Sequence, residues 1–592
     1  MGWAQPGRAW TGGRWSLDLR DDELADVAVD GVVVLRSVRL VLRDRDWGTI
    51  DLDLERYEME PAGLTLSVRG GGIVGTVAVR IDDERLEVVA DVTAERDVDT
   101  NRLGVVVLHP LGVAGAALAV THTDGGVERT RFPLAISPHQ PARDIAALAW
   151  EHRGLAVSAS FEGDVFEMED QRNWTDASFK TYSRPLDLPF PYRLAAGTRV
   201  RHAVVVHVSG RANTTAAEDD EVTLRTAGVV PAIGVGAATA PDPAPPATPP
   251  AMPLGEFVRV ELDLASPAWP AALERAATTG LPLDVRLVRA SPADLHEAVP
   301  TLRDLPVRTI GAFAGDGVSQ HVSDATVVDA LRKELAASQI DVPVVGGART
   351  HFTELHRGRA LLPDDLDGVC FALTPLFHSP TTAQLVESLA VLPLIARQAV
   401  DLAGLPVHVG PVTLRPHVDA VATTPEPVPA SPDLRDGYGP ALIDSTDPRQ
   451  SAPELAAWTI AAVAGLTAPG VASVALFEEW GPRGIRSSEG EPFPVAAALD
   501  ALSALAGAPA EVGHTADGRV WILRAQTSSG PVTLAANLDE VARTVTVHDG
   551  EAAELTIAAG AWCRRDGRLP SVGRPLPGEG ATAAPAPTGA GP

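Results

Sequence analysis

Between Phe257 and Phe477 the chain alternates seven apolar, strand-like runs with helical stretches. The runs fall at 257–264, 283–288, 307–313, 342–345, 368–373, 405–412 and 471–477. Helical periodicity fills intervals such as 271–279, 323–337, 382–402 and 452–465, with starts marked by Ser291-Pro292-Ala293-Asp294 and Ser323-Asp324. A strand that must be followed by a helix before its parallel neighbour builds one architecture most readily, a closed sheet sheathed in helices. The count predicts a (β/α)8-type barrel over 254–508, with seven strands legible and the eighth ambiguous.

The flanks differ. Residues 239–253 (TAPDPAPPATPPAMP) are a Pro-rich linker. Before it, 15–238 carries short Val- and Leu-rich runs broken by Gly, Asp and Pro, as at 31–42, 64–68, 73–81, 85–94, 103–108, 155–161 and 199–208. At 64–68, Leu64, Leu66 and Val68 face one way and Thr65 and Ser67 the other. This predicts an N-terminal β-sandwich. Strand patterning returns over 509–575 as a small C-terminal β-domain, and 576–592 reads as a disordered tail. The fold class is therefore multidomain, α/β plus β.

A net charge of −28 argues against nucleic acid and against anionic membrane surfaces. No apolar N-terminal leader or 18-residue apolar run occurs, so a cytoplasmic location is expected. The two cysteines, Cys370 and Cys563, have no CxxC partner, which argues against disulfide frameworks and zinc fingers. G-x-S-x-G, H-E-x-x-H and a P-loop are missing, which lowers serine hydrolase, zinc protease and nucleotide hydrolase readings.

One stretch concentrates polar chemistry. Residues 161–182 (FEGDVFEMEDQRNWTDASFKTY) place six carboxylates among five aromatics, in a chain only 5% aromatic. It reads either as a solvated acidic hairpin or as a loop closing over the barrel mouth. Glu167, Asp170, Asn173, Trp174 and Asp176 are its candidate substrate-binding residues. Clustered carboxylates leave room for a divalent cation, although the calcium-loop pattern is missing and no cofactor is required.

Barrel catalysis sits at carboxyl ends of strands. There the chain carries His351, Glu354, His356 and Arg357, then His378, then Arg415 and His417, then Glu478, Glu479 and Trp480. Two carboxylates across a mouth can divide into acid and base. Glu478 is assigned as base, Glu354 as acid, and His351 or Arg357 as oxyanion stabiliser. His378 is a further binding candidate, and Trp480 a wall for an apolar sugar face.

The 161–182 stretch, followed by Arg184-Pro185-Leu186 and Leu188-Pro189-Phe190-Pro191-Tyr192, resembles the D-apionate lactonase family of bacterial sugar catabolism. The likeness extends to Asn101-Arg102-Leu103-Gly104, Leu108-His109-Pro110, Ile136-Ser137-Pro138-His139-Gln140-Pro141, HFTELHR at 351–357 and FEEWGPRG at 477–484. The chain departs from that pattern at His351 and His356, where asparagines are usual, and at Glu479, where a threonine is. The resemblance implies hydrolysis of D-apionolactone to D-apionate, with a small-molecule sugar-acid lactone as partner. A glycoside hydrolase using Glu354 and Glu478, and a non-catalytic carbohydrate-binding protein, are the competing readings.

Overall fold

A computed structural model describes residues 3, 7–213, 220–241, 255–315, 321–429, 431–443, 445–548 and 552–568. Most of the Pro-rich linker and the expected C-terminal tail lie outside the described residues.

The N-terminal unit is one antiparallel sheet of 17 strands, running from Arg8–Gly12 to Arg199–Gly210 and folded over its own core. Period-2 patterning explains the strands: in Arg85–Ala94 every second side chain, from Leu86 to Ala94, is buried. Leu64, Leu66 and Val68 share the inward face as expected.

The central barrel has eight parallel strands, and the eighth strand missing from the sequence pattern is Ala232–Gly236. It pairs with Phe257–Asp263 on one side and Val471–Glu478 on the other. A parallel bridge between Ile310 and Val344 links the two edge strands of the sheet. The segment AIGVG escapes detection because it is short and glycine-rich. A Cβ on Gly234 would stand 2.6 Å from the Phe257 ring and carbonyl oxygen, so glycine lets the strands close.

Placing all of 15–238 in the N-terminal unit requires correction. Glu221–Thr223 pairs with Arg543–His548, and Arg225–Val229 pairs with Pro509–His514, both in the C-terminal β-region. Residues 221–236 thus leave the first sheet: 221–229 pair with strands hundreds of residues downstream, and 232–236 join the barrel. Helix Glu454–Leu466 is apolar almost all round and buried along nearly its whole length. It packs between barrel helices and the C-terminal strands. No helix among the described residues is long and apolar enough to cross a membrane.

The 161–182 stretch is not a solvated hairpin. Strand Phe166–Asp170, the turn Gln171–Trp174 and strand Ser178–Ser183 are buried throughout. Asp170 and Arg172 form a buried ion pair at 2.7 Å, and Arg172 also donates to the carbonyls of Pro133, Leu134 and Ala135. The turn then projects onto the barrel.

Candidate functional site

The barrel strands aim their charged residues inward by alternation. Arg259, Glu261 and Asp263 occupy one face of Phe257–Asp263, while Val258, Val260 and Leu262 pack outward into the core. These three charged residues line a cavity of about 980 Å³ at the barrel mouth. Arg349 follows strand Val345–Gly347, His417 follows Val407–Val412, and Glu478 ends Val471–Glu478, all on the cavity wall. The N-terminal sheet supplies the roof, with Arg43, Trp47, Arg102, Glu169, Trp174 and Lys180.

Glu261 Oε1 accepts from Arg349 Nε at 2.9 Å and Nη2 at 2.6 Å. Arg349 also donates to Glu426 at 3.0 and 3.1 Å, and the two carboxylates hold it charged against burial. Glu261 Oε2 has no hydrogen-bond partner and lies 3.8 Å from His417 Nε2, which has none either. Burial, together with the charges of Arg349, Arg259 and Arg483, pushes His417 well below the ordinary histidine range, so its ring is neutral at pH 7. Arg259 Nη2 and Arg483 Nη2 are likewise buried and unpartnered. Four orphaned polar atoms on one wall contrast with protein interiors, where nearly all such groups are satisfied.

Glu478 lines the cavity, as the sequence predicts, but its oxygens are occupied. Arg483 Nε donates at 2.8 Å, Thr239 N at 3.0 Å and Thr239 Oγ1 at 2.9 Å. With its oxygens occupied in this way, the carboxylate fixes Arg483. Glu354 is not on the cavity wall. It sits in the first turn of helix Phe352–Gly358 and accepts from Thr350 Oγ1 at 2.9 Å. Burial raises its carboxyl to about 7. The expected Glu354–Glu478 pair across the mouth is therefore not assembled.

His351 is buried behind the wall, with its ring 5.3 Å from Trp174 and 4.6 Å from Phe377. Burial and the nearby His378 and His321 push it down to about 3. Trp480 is 3% exposed and packs with Ala238 and Ala240 under Arg275, so it forms no wall for a sugar.

The 161–182 candidates divide. Trp174 lines the cavity, stacks on Phe377 at 4.8 Å and donates to Glu169 at 3.0 Å. His378 and Arg357 also line it. His378 Nδ1 donates to Asp176 at 2.6 Å, the tautomer a carboxylate acceptor requires, and Gln384 binds the other Asp176 oxygen. Asp176 thus clamps the N-terminal sheet to the barrel. Arg357 donates to the Pro138 carbonyl at 2.6 Å, across the same junction. Glu167, Asp170 and Asn173 are structural. Glu167 accepts from Tyr182 Oη and Leu186 N, Asp170 from Arg172 and Ser137 N, and Asn173 donates to Ser137 O. No group of three or more His, Cys, Asp or Glu among the described residues is arranged to hold a metal.

Sequence reasoning missed Glu169, which joins Lys180 at 2.6 Å. Burial works to raise its carboxyl, but Lys180, His378 and Arg357 hold it below the usual range. It also missed Arg259, Glu261 and Arg349. The signal was present in FVRVELD, where charges at alternate positions of an apolar barrel strand point into the lumen.

An eight-stranded barrel whose polar mouth is roofed by a β-sheet domain defines a barrel enzyme. A model of the D-apionate lactonase N-terminal domain matches residues 2–211, and one of the D-apionate lactonase TIM barrel domain matches 257–507. A curated D-apionate lactonase from Brucella anthropi is 29% identical over 542 residues, covering 84% of this chain and 87% of its own. The chain belongs to the D-apionate lactonase family. Two solved structures show weaker likeness. A GH30 endoxylanase from Clostridium papyrosolvens C71 aligns over 58% of this chain and 98% of its own, at 11% identity and a TM-score of 0.37. A putative aldose 1-epimerase from Escherichia coli K12 aligns over 35% and 99%, at 12% identity and a TM-score of 0.25. Scores this low carry no argument about chemistry.

Proposed function

We propose that this protein hydrolyses the lactone of a branched sugar acid, D-apionolactone, to D-apionate. The observation that carries the reading is the set of unpartnered atoms on the barrel wall: the acceptor Glu261 Oε2, His417 Nε2, which accepts when the ring proton sits on Nδ1, and two donors, Arg259 Nη2 and Arg483 Nη2. Ester hydrolysis needs a proton acceptor for water and donors for an oxyanion. Family membership supplies the substrate class.

In this reading, water donates to His417 Nε2 and Glu261 Oε2. Its oxygen attacks the lactone carbonyl carbon while one proton passes to His417. Arg259 and Arg483 receive the negative charge that develops on the carbonyl oxygen. The carbon–ring-oxygen bond then breaks, and the imidazolium returns its proton to the departing alkoxide. Glu261 steadies the imidazolium, and Arg349 fixes Glu261. Glu478 is a positioning residue that aims Arg483. Trp174 and Phe377 offer an aromatic surface to the ligand.

The test is base consumption in a pH-stat with D-apionolactone, beside a nitrophenyl glycoside panel. Lactone turnover that His417→Gln reduces by roughly 10²-fold or more supports the assignment. Glycoside cleavage without lactone turnover would overturn it.

A further inference from the structure

The cavity roof contains an arrangement that the hydrolytic reaction does not use. Arg43 and Arg102 lie directly opposite each other on adjacent antiparallel strands, Val32–Arg43 and Arg102–Pro110. Like charges in that register repel. Both line the cavity, and Arg102 is only 5% exposed. No carboxylate comes within ion-pair distance of either guanidinium among the described residues.

Their contacts are neutral. Arg43 donates to the Trp47 carbonyl at 3.2 Å and to Thr49 Oγ1. Arg102 donates to the Arg184 carbonyl at 3.2 Å and lies over the Tyr182 ring at 4.0 Å, with Nε unpartnered. The nearby carboxylates are engaged elsewhere: Glu167 by Tyr182 and Leu186, Glu169 by Lys180 and Trp174, Asp176 by His378 and Gln384. Lys180 adds a third cation to the same wall. Burial, and for Arg43 the charge of Arg102 beside it, lowers both guanidinium groups, Arg43 to about 10.

A buried cation, Arg102, set beside the half-buried Arg43 without a counter-ion is costly unless a ligand supplies one. We propose that Arg43 and Arg102 form an anion subsite in the cavity roof that takes the carboxylate of a sugar acid. The guanidinium fork suits a carboxylate, and Trp47 and Phe190, in edge contact at 5.0 Å, flank it on the cavity wall. The carboxylate has two sources: the ring-opened acid once it has left Arg259 and Arg483 for the roof, or a second acid group carried by the lactone. The proposal deepens the lactonase reading but is tested by binding alone, so failure of turnover does not decide it.

The full-length protein is titrated calorimetrically with D-gluconate, a free aldonate, and with D-glucaro-1,4-lactone, whose ring carries a separate carboxylate. Arg43→Gln and Arg102→Gln are expected to weaken binding by roughly 10- to 100-fold. Arg43→Lys, which keeps the charge but not the fork, is expected to bind more weakly than wild type and more tightly than Arg43→Gln. Loss for gluconate assigns the subsite to the ring-opened acid, and loss confined to the glucarolactone assigns it to an acid on the substrate. Wild-type affinity for both probes in a folded glutamine variant overturns the proposal, as does no binding of either probe to the wild type.

Discussion

Replacing Glu261 by Gln isolates the central electrostatic claim about the barrel mouth. Glutamine keeps the shape and leaves a carbonyl to accept from Arg349 in place of Oε1. It removes the negative charge 3.8 Å from His417 Nε2 and replaces the free acceptor with an amide donor. At that separation, and an effective dielectric of about 20, unit charges attract by about 4 kcal/mol. The imidazolium is only partly formed in the transition state, so part of that energy is lost from the barrier. The expected fall in kcat is roughly 10- to 10²-fold at about 1.4 kcal/mol per decade. Arg349 retains Glu426 as a partner, so the fold survives. The assay is pH-stat turnover of D-apionolactone at saturation, with a thermal melt to confirm folding. A folded Glu261→Gln enzyme within about fivefold of wild type would refute the role of Glu261.

Other predictions follow from the same geometry. Wild-type kcat/KM is expected to stay level down to pH 6.5 and fall only well below it, because burial and three arginines hold His417 neutral. Arg349→Met removes a positive charge that disfavours the imidazolium, so His417 rises and the acid limb moves to higher pH in a pH–rate profile. Glu354→Gln is expected to keep activity within about threefold. The Glu354 carboxyl is raised to about 7 from an ordinary 4.5, so between those values the folded state holds more protons and stability falls as pH rises. The amide removes that penalty, so the variant should gain up to about 3 kcal/mol over wild type at pH 8 in urea melts. Asp176→Asn leaves His378 without its carboxylate across the domain junction. It is expected to cost about 2 kcal/mol, read as a lower midpoint in the same melts.

The barrel was legible because its signal is local. Each strand and helix announces itself in periodicity, and seven of the eight strands do so plainly. The small C-terminal β-region was legible for the same reason, and the 161–182 stretch carried the family likeness. Glu478 was found because it ends an apolar strand. The eighth strand was hidden because Ala232–Gly236 has too few side chains to show a period.

The chain alone determined the sequence of elements, the class of fold and the family, since these rest on neighbours a few residues apart. Tertiary structure decided which charges face the ligand. Glu354 and Glu478 look equivalent in the sequence, yet one turns to Thr350 and the other to Arg483 and Thr239. Glu261 and His417 stand 156 positions apart and meet only because the barrel closes. The Arg43–Arg102 opposition likewise exists only in the paired strands. Desolvation and Coulomb interaction depend on distance through space, which sequence spacing does not encode.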